Sequence, residues 1–179
     1  MIRIGIDPGK NGFICIMNDL DGMIINGDNP DITIKEYYNI PIIGQEVDLN
    51  TMDSIFKNIS MGVRFENYHC CIEDVHAIFG SSAKATFSFG WIVGVLEALL
   101  VAHGIPYTKV KPKEWQKEMW QGVPIQKKPN GRTDTKAMSL LAAKRLFPNE
   151  DLTATERSVK PHDGKIDALL LAEYCRRKF

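Results

Sequence analysis

The first seven residues constrain the fold most, because an alternating apolar pattern ends there in an acid. Ile2, Ile4 and Ile6 alternate with small or polar residues, and Asp7 follows at once. This period of two predicts a β-strand. A turn-forming sequence, Pro-Gly-Lys-Asn-Gly, separates it from a second apolar run at 13–17. The two runs therefore predict an antiparallel hairpin.

Further along the chain, extended and helical patterns alternate. A turn at Asp21-Gly22 and an extended segment at 23–25 would make the hairpin a three-stranded meander. Two later strands are predicted at 69–74 and 107–110. A helix is predicted at 51–59, capped by Asn50 or Thr51, and a longer one runs from Ser81 or Ser82 to about 103, with Gly104 as its stop. Three more helices are predicted at 112–120, 134–147 and 162–177. A small-residue stripe on the long helix, Gly90, Gly94 and Ala98, is predicted to pack on the sheet. This order predicts one α/β domain over 1–179, with helices flanking a mixed sheet.

Composition narrows the classes of protein. A chain of 179 residues with 44% hydrophobic and 25% charged residues is typical of one globular domain and excludes disordered or collagen-like chains. No uninterrupted apolar run reaches about 18–20 residues, so we expect no membrane partner. The N-terminus lacks the pattern of a signal peptide, and the four cysteines lack C-x-x-C spacing. We therefore expect a cytoplasmic protein with free thiols.

The net charge of zero conceals an uneven distribution. Residues 1–74 carry five Lys/Arg and twelve Asp/Glu, whereas residues 109–145 carry ten basic and three acidic residues. Carboxylates can hold metal ions, and a basic stretch can neutralise phosphates. Solvated protein surfaces produce similar counts, so charge alone leaves nucleic-acid binding as one of two alternatives.

Four acids stand at the ends of predicted elements, beside apolar residues. Asp7 ends the first strand and Glu73 ends the strand before the long helix. Asp163 and Asp167 lie one turn apart on the final helix, hence on one face. If the first and fourth strands are central neighbours, all four carboxylates meet at one sheet edge. Such a cluster favours Mg²⁺ or Mn²⁺, and a pair of these ions supports phosphodiester hydrolysis.

Each acid also has an ordinary structural interpretation. Asp7 before Pro-Gly is typical of a turn, and two Asp residues four apart are typical of a solvated helix face. Asp167 argues against the second interpretation, because the segment that follows it, 168–172, is nearly all apolar. An unpaired charge there is costly. The residues alone leave a metal-dependent nuclease and these structural roles as alternatives.

Three short motifs occur in order along the chain. They are Ile4-Gly5-Ile6-Asp7-Pro8-Gly9, Ile72-Glu73-Asp74-Val75 and Asp163-Gly164-Lys165-Ile166-Asp167-Ala168-Leu169. With residues 87–100, 105–106 and 110–112, this order resembles the RuvC family of Holliday-junction resolvases, in the RNase H-like superfamily, and especially its phage-borne branch. The resemblance covers nearly the whole chain and is weakest over 20–65. It implies an RNase H-like α/β fold, a five-stranded mixed sheet whose first three strands are antiparallel, flanked by α-helices.

The resemblance also implies an activity. Asp7, Glu73 and Asp167 would be metal ligands in the catalytic site, and Asp163 or its neighbour His162 would complete it. The cofactor would be Mg²⁺, two ions per active site, with Mn²⁺ as a substitute and no organic cofactor. A homodimer would cut opposing strands of a four-way DNA junction in the bacterial cytoplasm. A phage-encoded protein would act there too, inside the host cell. Bacterial members commonly space the last two acids three apart, whereas here the spacing is four, so Asp163 and His162 stay alternatives.

Basic and aromatic residues supply candidates for DNA contacts. Where bacterial members carry an aromatic residue that probes the junction, this chain has His76, and Phe79 follows three residues later. The other candidates are Lys84, Lys111, Lys113, Lys117, Lys127, Lys128, Arg132 and Lys136. Trp115 and Trp120 either pack in the core or stack on unpaired bases.

Three other functions remain open from the sequence. The first is a less selective branch or flap nuclease. The second is an actin- or Hsp70-like nucleotide-binding protein, whose phosphate motif also follows a strand with Asp and Gly, although that fold needs two such domains. The third is a non-catalytic DNA-binding scaffold, which has no need of four repelling carboxylates.

Overall fold

A five-stranded mixed sheet forms the centre of the fold. The computed structural model describes residues 1–19, 33–61, 68–75 and 82–179. The strands are β1 (Ile2–Ile6), β2 (Phe13–Asp19), β3 (Thr33–Asn39), the short hairpin strands β4 (Ile42–Ile43) and β5 (Glu46–Val47), then β6 (Tyr68–Glu73) and β7 (Tyr107–Val110). The central sheet has the order β3-β2-β1-β6-β7, and β4 pairs with β5 in a separate two-stranded sheet.

The pairing pattern explains why the sheet is mixed. β2 is antiparallel to both β1 and β3, whereas β6 is parallel to both β1 and β7. The fold predicted for the first three strands of the sheet is therefore confirmed, with β1 and β6 as central neighbours. The predicted strand at 23–25 and the turn at Asp21-Gly22 lie outside the described residues. The third strand of the described sheet is Thr33–Asn39.

Five helices lie within two residues of their predicted positions. They are α1 (Leu49–Met61), α2 (Ala83–Ala102), α3 (Pro112–Met119), α4 (Thr135–Leu146) and α5 (Asp163–Lys178). Gly104, with φ of 66°, follows the end of α2 as expected. The predicted cap of α1 was wrong, because Asp48 accepts a hydrogen bond from the Thr51 backbone N–H at 3.2 Å. Asp48 directly precedes the helix, the position from which a side chain can accept a hydrogen bond from a free N–H of the first turn. Asn50 and Thr51 lie inside the helix.

The two faces of the sheet bury separate cores. One face packs against α1 and α2, and the other against α3, α4 and α5. Cys70 and Cys71 contribute to opposite cores, as strand alternation requires. Both are free and buried, as are Cys15 and Cys175.

A close approach of α5 to β1 places the final helix at the sheet edge. A Cβ on Gly5 would lie 2.1 Å from the Ala168 carbonyl oxygen and 2.2 Å from the Ala172 nitrogen. Only glycine therefore fits where β1 faces α5. This contact brings the first turn of α5 to the end of β1, where Asp7 follows.

Helix α2 corrects a prediction about its small residues. Its buried face carries Ile92, Leu96 and Leu100, whereas Gly90 and Gly94 have no atom within 4 Å of a built Cβ. Large aliphatic side chains remove more apolar area from water than glycines do, so they face the sheet. By length and composition alone α2 could cross a bilayer, and 17% of its apolar window is buried.

Candidate active site

Asp7 and Glu73 lie side by side at one edge of the sheet. β1 and β6 are parallel, and their register pairs Ile6 with Ile72. Asp7 directly follows β1 and Glu73 ends β6, so the two carboxylates leave neighbouring strands in the same direction. Asp7 is held there by its backbone N–H, which donates to the Phe13 carbonyl at 3.0 Å. The convergence predicted for these two acids is present.

The first turn of α5 brings Asp163 and Asp167 to the same edge. Gly164 makes this approach possible, because a Cβ there would lie 2.4 Å from the Asn11 carbonyl oxygen and 2.9 Å from Asp7 Oδ2. A cavity of about 360 Å³ opens at this point and is lined in part by Asp7, Asp163 and His162. The helix start, the turn after β1 and the strand end thus form one site.

The pKa values of Asp7 and Asp167 reflect the proximity of the four acids. Burial raises the pKa of Asp7 well above its usual value, and the charges of Asp167, Glu73 and Asp163 raise it further. Burial also raises the pKa of Asp167 to about 7, with Glu73 and Asp163 adding to the rise while Ser139 and Lys136 oppose it. Carboxylates this close repel one another and favour protonation unless a cation neutralises them.

Three of the four acids have a neighbour outside the cluster. The Trp115 indole Nε1 donates to Glu73 Oε1 at 2.9 Å. Lys136 Nζ forms an ion pair with Asp163 Oδ2. The Ser139 side chain faces Asp167 and lowers its pKa.

Two polar atoms at the site are buried without a hydrogen-bond partner among the described residues. They are Asp167 Oδ1 and His162 Nδ1. Buried polar atoms are normally satisfied, so an orphaned carboxylate oxygen beside other acids is suited to accept a cation.

The chemistry of these donors fits a hard divalent cation. Carboxylate oxygens are the ligands that Mg²⁺ and Mn²⁺ prefer. In the part of the chain that the structure describes, no three His, Cys, Asp or Glu side chains stand close enough to hold an ion as they are. Asp163 is engaged by Lys136 in this arrangement. Binding of an ion would need side-chain movement, in which Lys136 releases Asp163.

The predicted basic loop is an ordered hairpin. Lys127 forms a bridge with Thr133, and the Lys128 backbone N–H donates to the Arg132 carbonyl at 2.8 Å. The side chains of Lys127, Lys128 and Arg132 are exposed. The hairpin leads directly to Asp134, whose side chain caps α4, and so to Lys136 at the acids. A basic surface therefore continues into the candidate site.

The remaining DNA-binding candidates are dispersed. Lys113 and Lys117 are exposed on α3, and Lys111 is the exposed residue before its first turn. Lys84 is exposed on the first turn of α2. His76 and Phe79 lie outside the described residues, so their predicted contacts with the junction stay predictions.

Several contributors to the site were not identified from the sequence. Trp115 is fully buried, so of the two predicted roles, packing and base stacking, only packing is possible, and its bond to Glu73 was not foreseen. Ser139 lies three residues after Lys136 on α4, and this spacing on one helix face is the signal that could have identified it. Gly164 was part of a motif, but the steric reason for it needs the position of Asn11.

Comparison with known proteins supports the fold. No protein-family model and no curated protein sequence matches the chain. Among solved structures, the chain is similar to Thermus thermophilus RuvC in complex with a Holliday junction substrate, with a TM-score of 0.61 and 15% identity over 96% of this chain and 90% of that one.

Two further structures agree. A second T. thermophilus RuvC structure matches with a TM-score of 0.54 and 18% identity, over 99% of this chain and 96% of that one. The yeast mitochondrial Holliday junction resolvase Ydc2 matches with a TM-score of 0.51 and 14% identity, over 98% and 83%. At these identities the likeness establishes the fold: the chain has the RNase H-like fold seen in RuvC and Ydc2.

Proposed function

We propose that this chain is a metal-dependent endonuclease that resolves four-way DNA junctions by paired phosphodiester hydrolysis. The observation that carries the proposal is the group of four carboxylates, which lie close enough to raise the pKa of Asp7 and Asp167. Repulsion between the carboxylates lowers the stability of the fold, but the same negative charge attracts the cations that a metal-dependent nuclease needs. The group lies at the edge of an RNase H-like sheet, beside a basic hairpin.

The substrate class is supported by the structural neighbours and by the basic hairpin. One RuvC neighbour is in complex with a Holliday junction substrate, and Ydc2 is a Holliday junction resolvase. In this chain, Lys127, Lys128 and Arg132 would contact DNA phosphates. These residues lie on the surface that leads to Lys136 and the acids. The hairpin would position the DNA backbone without reading its sequence.

The proposed cofactor is Mg²⁺, two ions per site, with Mn²⁺ as a substitute. Asp7, Glu73 and Asp167 would hold the ions, and Asp163 or His162 would complete the set. Bound ions of this kind supply a deprotonated water and neutralise charge that develops on the phosphate. If Asp163 were a ligand of a bound cation, Lys136 would be free to bind an anionic phosphate of the DNA beside the carboxylates.

Two opposed cuts need two sites, so we also propose a homodimer, and α2 offers the surface for it. Phe87, Trp91 and Val101 are 75%, 51% and 68% exposed on its outer face, and Gly94 among them leaves room for close approach. An exposed apolar patch of this kind marks an interaction site.

Sedimentation should find a dimer for the wild type and a monomer for Gly94→Glu, with Val159→Glu as an exposed control. A monomeric wild type that binds vesicles would assign the face to a membrane instead.

The first experiment is cleavage of a labelled four-way junction with Mg²⁺ or with EDTA. We expect paired, ligatable nicks from the wild type with Mg²⁺ only, and junction binding without cleavage from Asp7→Asn. Glu156→Gln, which removes an exposed acid outside the cluster, is the matched control and should cut normally.

The other functions predict different outcomes of the same experiment. Equal cutting of four-way, three-way, flap and linear DNA would identify a less selective nuclease. A junction that is bound but stays intact with every metal would identify a scaffold. Protection by ATP in a thermal melt, without cleavage, would identify a nucleotide-binding protein.

A further inference from the structure

The indole of Trp115 donates a hydrogen bond to one carboxylate oxygen of the acid cluster. Trp115 is 0% exposed, and its Nε1 donates to Glu73 Oε1 at 2.9 Å. The two residues are 42 positions apart in the chain and meet because α3 packs beneath the end of β6 and against α5. A hydrogen bond to a charged oxygen at this depth is stronger than one between neutral groups.

A neighbouring tryptophan shows that burial of an indole in this core does not require such a bond. Trp120 packs edge-on against Trp115, with ring centroids 6.4 Å apart. Its Nε1 is also buried, yet it has no hydrogen-bond partner in the described part of the chain. The two indoles pack in the same core region, and Trp115 but not Trp120 donates to Glu73.

The bond restricts the orientation of Glu73. It fixes one carboxylate oxygen and therefore limits the rotation of a flexible side chain, while Oε2 is not engaged by the indole. An indole N–H has no lone pair, so it supports the carboxylate without competing for a cation.

We propose that Trp115 is a positioning residue, whose indole N–H holds Glu73 in the orientation that binds a divalent cation. The inference rests on the proposed function, in which Glu73 is a metal ligand. Groups that hold a metal ligand from behind typically change metal affinity by about 10–100-fold when they are removed. The bond to Trp115 is such a contact, made by a residue that never touches the ion.

The test is a matched pair of substitutions, Trp115→Phe and Trp120→Phe. Each keeps an aromatic ring and removes one indole N–H. Titration with Mn²⁺, followed by calorimetry, should show about tenfold weaker binding in Trp115→Phe and wild-type binding in Trp120→Phe. Cleavage by Trp115→Phe should need about tenfold more Mg²⁺ for half its maximum, while its maximal rate recovers at saturating metal. A merely structural defect would not be rescued in this way.

A second measurement uses the wild type and does not depend on the folding of a variant. In ¹⁵N NMR spectra, Mg²⁺ should shift the Trp115 indole N–H resonance and leave that of Trp120 in place. Equal Mn²⁺ affinity in the wild type and Trp115→Phe, or an unmoved Trp115 resonance, would overturn the positioning role alone. A wild type that binds no Mn²⁺ would overturn the metal-dependent function together with it.

Discussion

Replacing Asp167 by asparagine is expected to stabilise the metal-free protein above neutral pH. Asp167 is largely buried among like charges, and its pKa is raised from 3.8 to about 7. Asparagine has nearly the same shape as aspartate and keeps a polar oxygen for Ser139 to face, but it carries no charge. The substitution therefore removes the repulsion and keeps the local contact.

The size and pH dependence follow from proton linkage. A folded-state pKa about three units above the unfolded value corresponds to at most about 4 kcal/mol of lost stability when Asp167 is fully ionised. Because the repulsion is shared among several acids, we expect a gain of about 2 kcal/mol for Asp167→Asn. A raised acid pKa lowers stability as pH rises from about 4 through about 7, so the gain should be near zero at pH 4 and complete at pH 8.

The assay is urea denaturation in EDTA at pH 4, 6 and 8, for the wild type, Asp167→Asn and the exposed control Glu156→Gln. The control should change the free energy of unfolding little at any pH. Added Mg²⁺ should stabilise the wild type and have much less effect on Asp167→Asn. A loss of stability in Asp167→Asn at pH 8, or a gain that does not vary with pH, would refute the electrostatic reasoning.

Two further predictions concern the backbone of the site and the hairpin. Gly164→Ala should lower the melting temperature and abolish junction cleavage, because its Cβ would lie 2.4 Å from the Asn11 carbonyl oxygen; an active, equally stable variant would mean that α5 can move away. Lys127→Gln with Lys128→Gln should weaken junction binding and reduce the slope of log affinity against log salt by about one per lost phosphate contact; an unchanged slope in a filter-binding titration would make the hairpin an ordinary solvated loop.

The convergence of Asp7 and Glu73 followed from one assumption, that their two strands are central neighbours, and the structure has that order. Parallel central neighbours send the residues after their ends to the same edge, whatever packs around them. The helix ends were similarly accessible, since Ser82, Asp134 and Gly104 act through local hydrogen bonds or backbone conformation. Rules that involve a few adjacent residues can be applied to a sequence with no knowledge of the tertiary structure.

The contacts between distant elements could not be predicted. Helix α2 is apolar on nearly every side, so its periodicity could not show that Leu96 faces the sheet and Gly94 faces outward. The bond between Trp115 and Glu73 and the ion pair between Lys136 and Asp163 depend on how α3 and α4 pack. Both join residues 27 or more positions apart. Their partners belong to elements whose relative placement no local pattern specifies.

The fit of α5 against Gly5 has a consequence for how such a protein can diverge. Main-chain atoms of Ala168 and Ala172 set the spacing between strand and helix at this point. Main-chain atoms are the same in every amino acid, so most side chains around the contact can be exchanged without moving the acids. The positions that resist exchange are those that must have no side chain at all. A lineage with this fold can therefore lose most of its recognisable sequence while the carboxylates keep their relative positions.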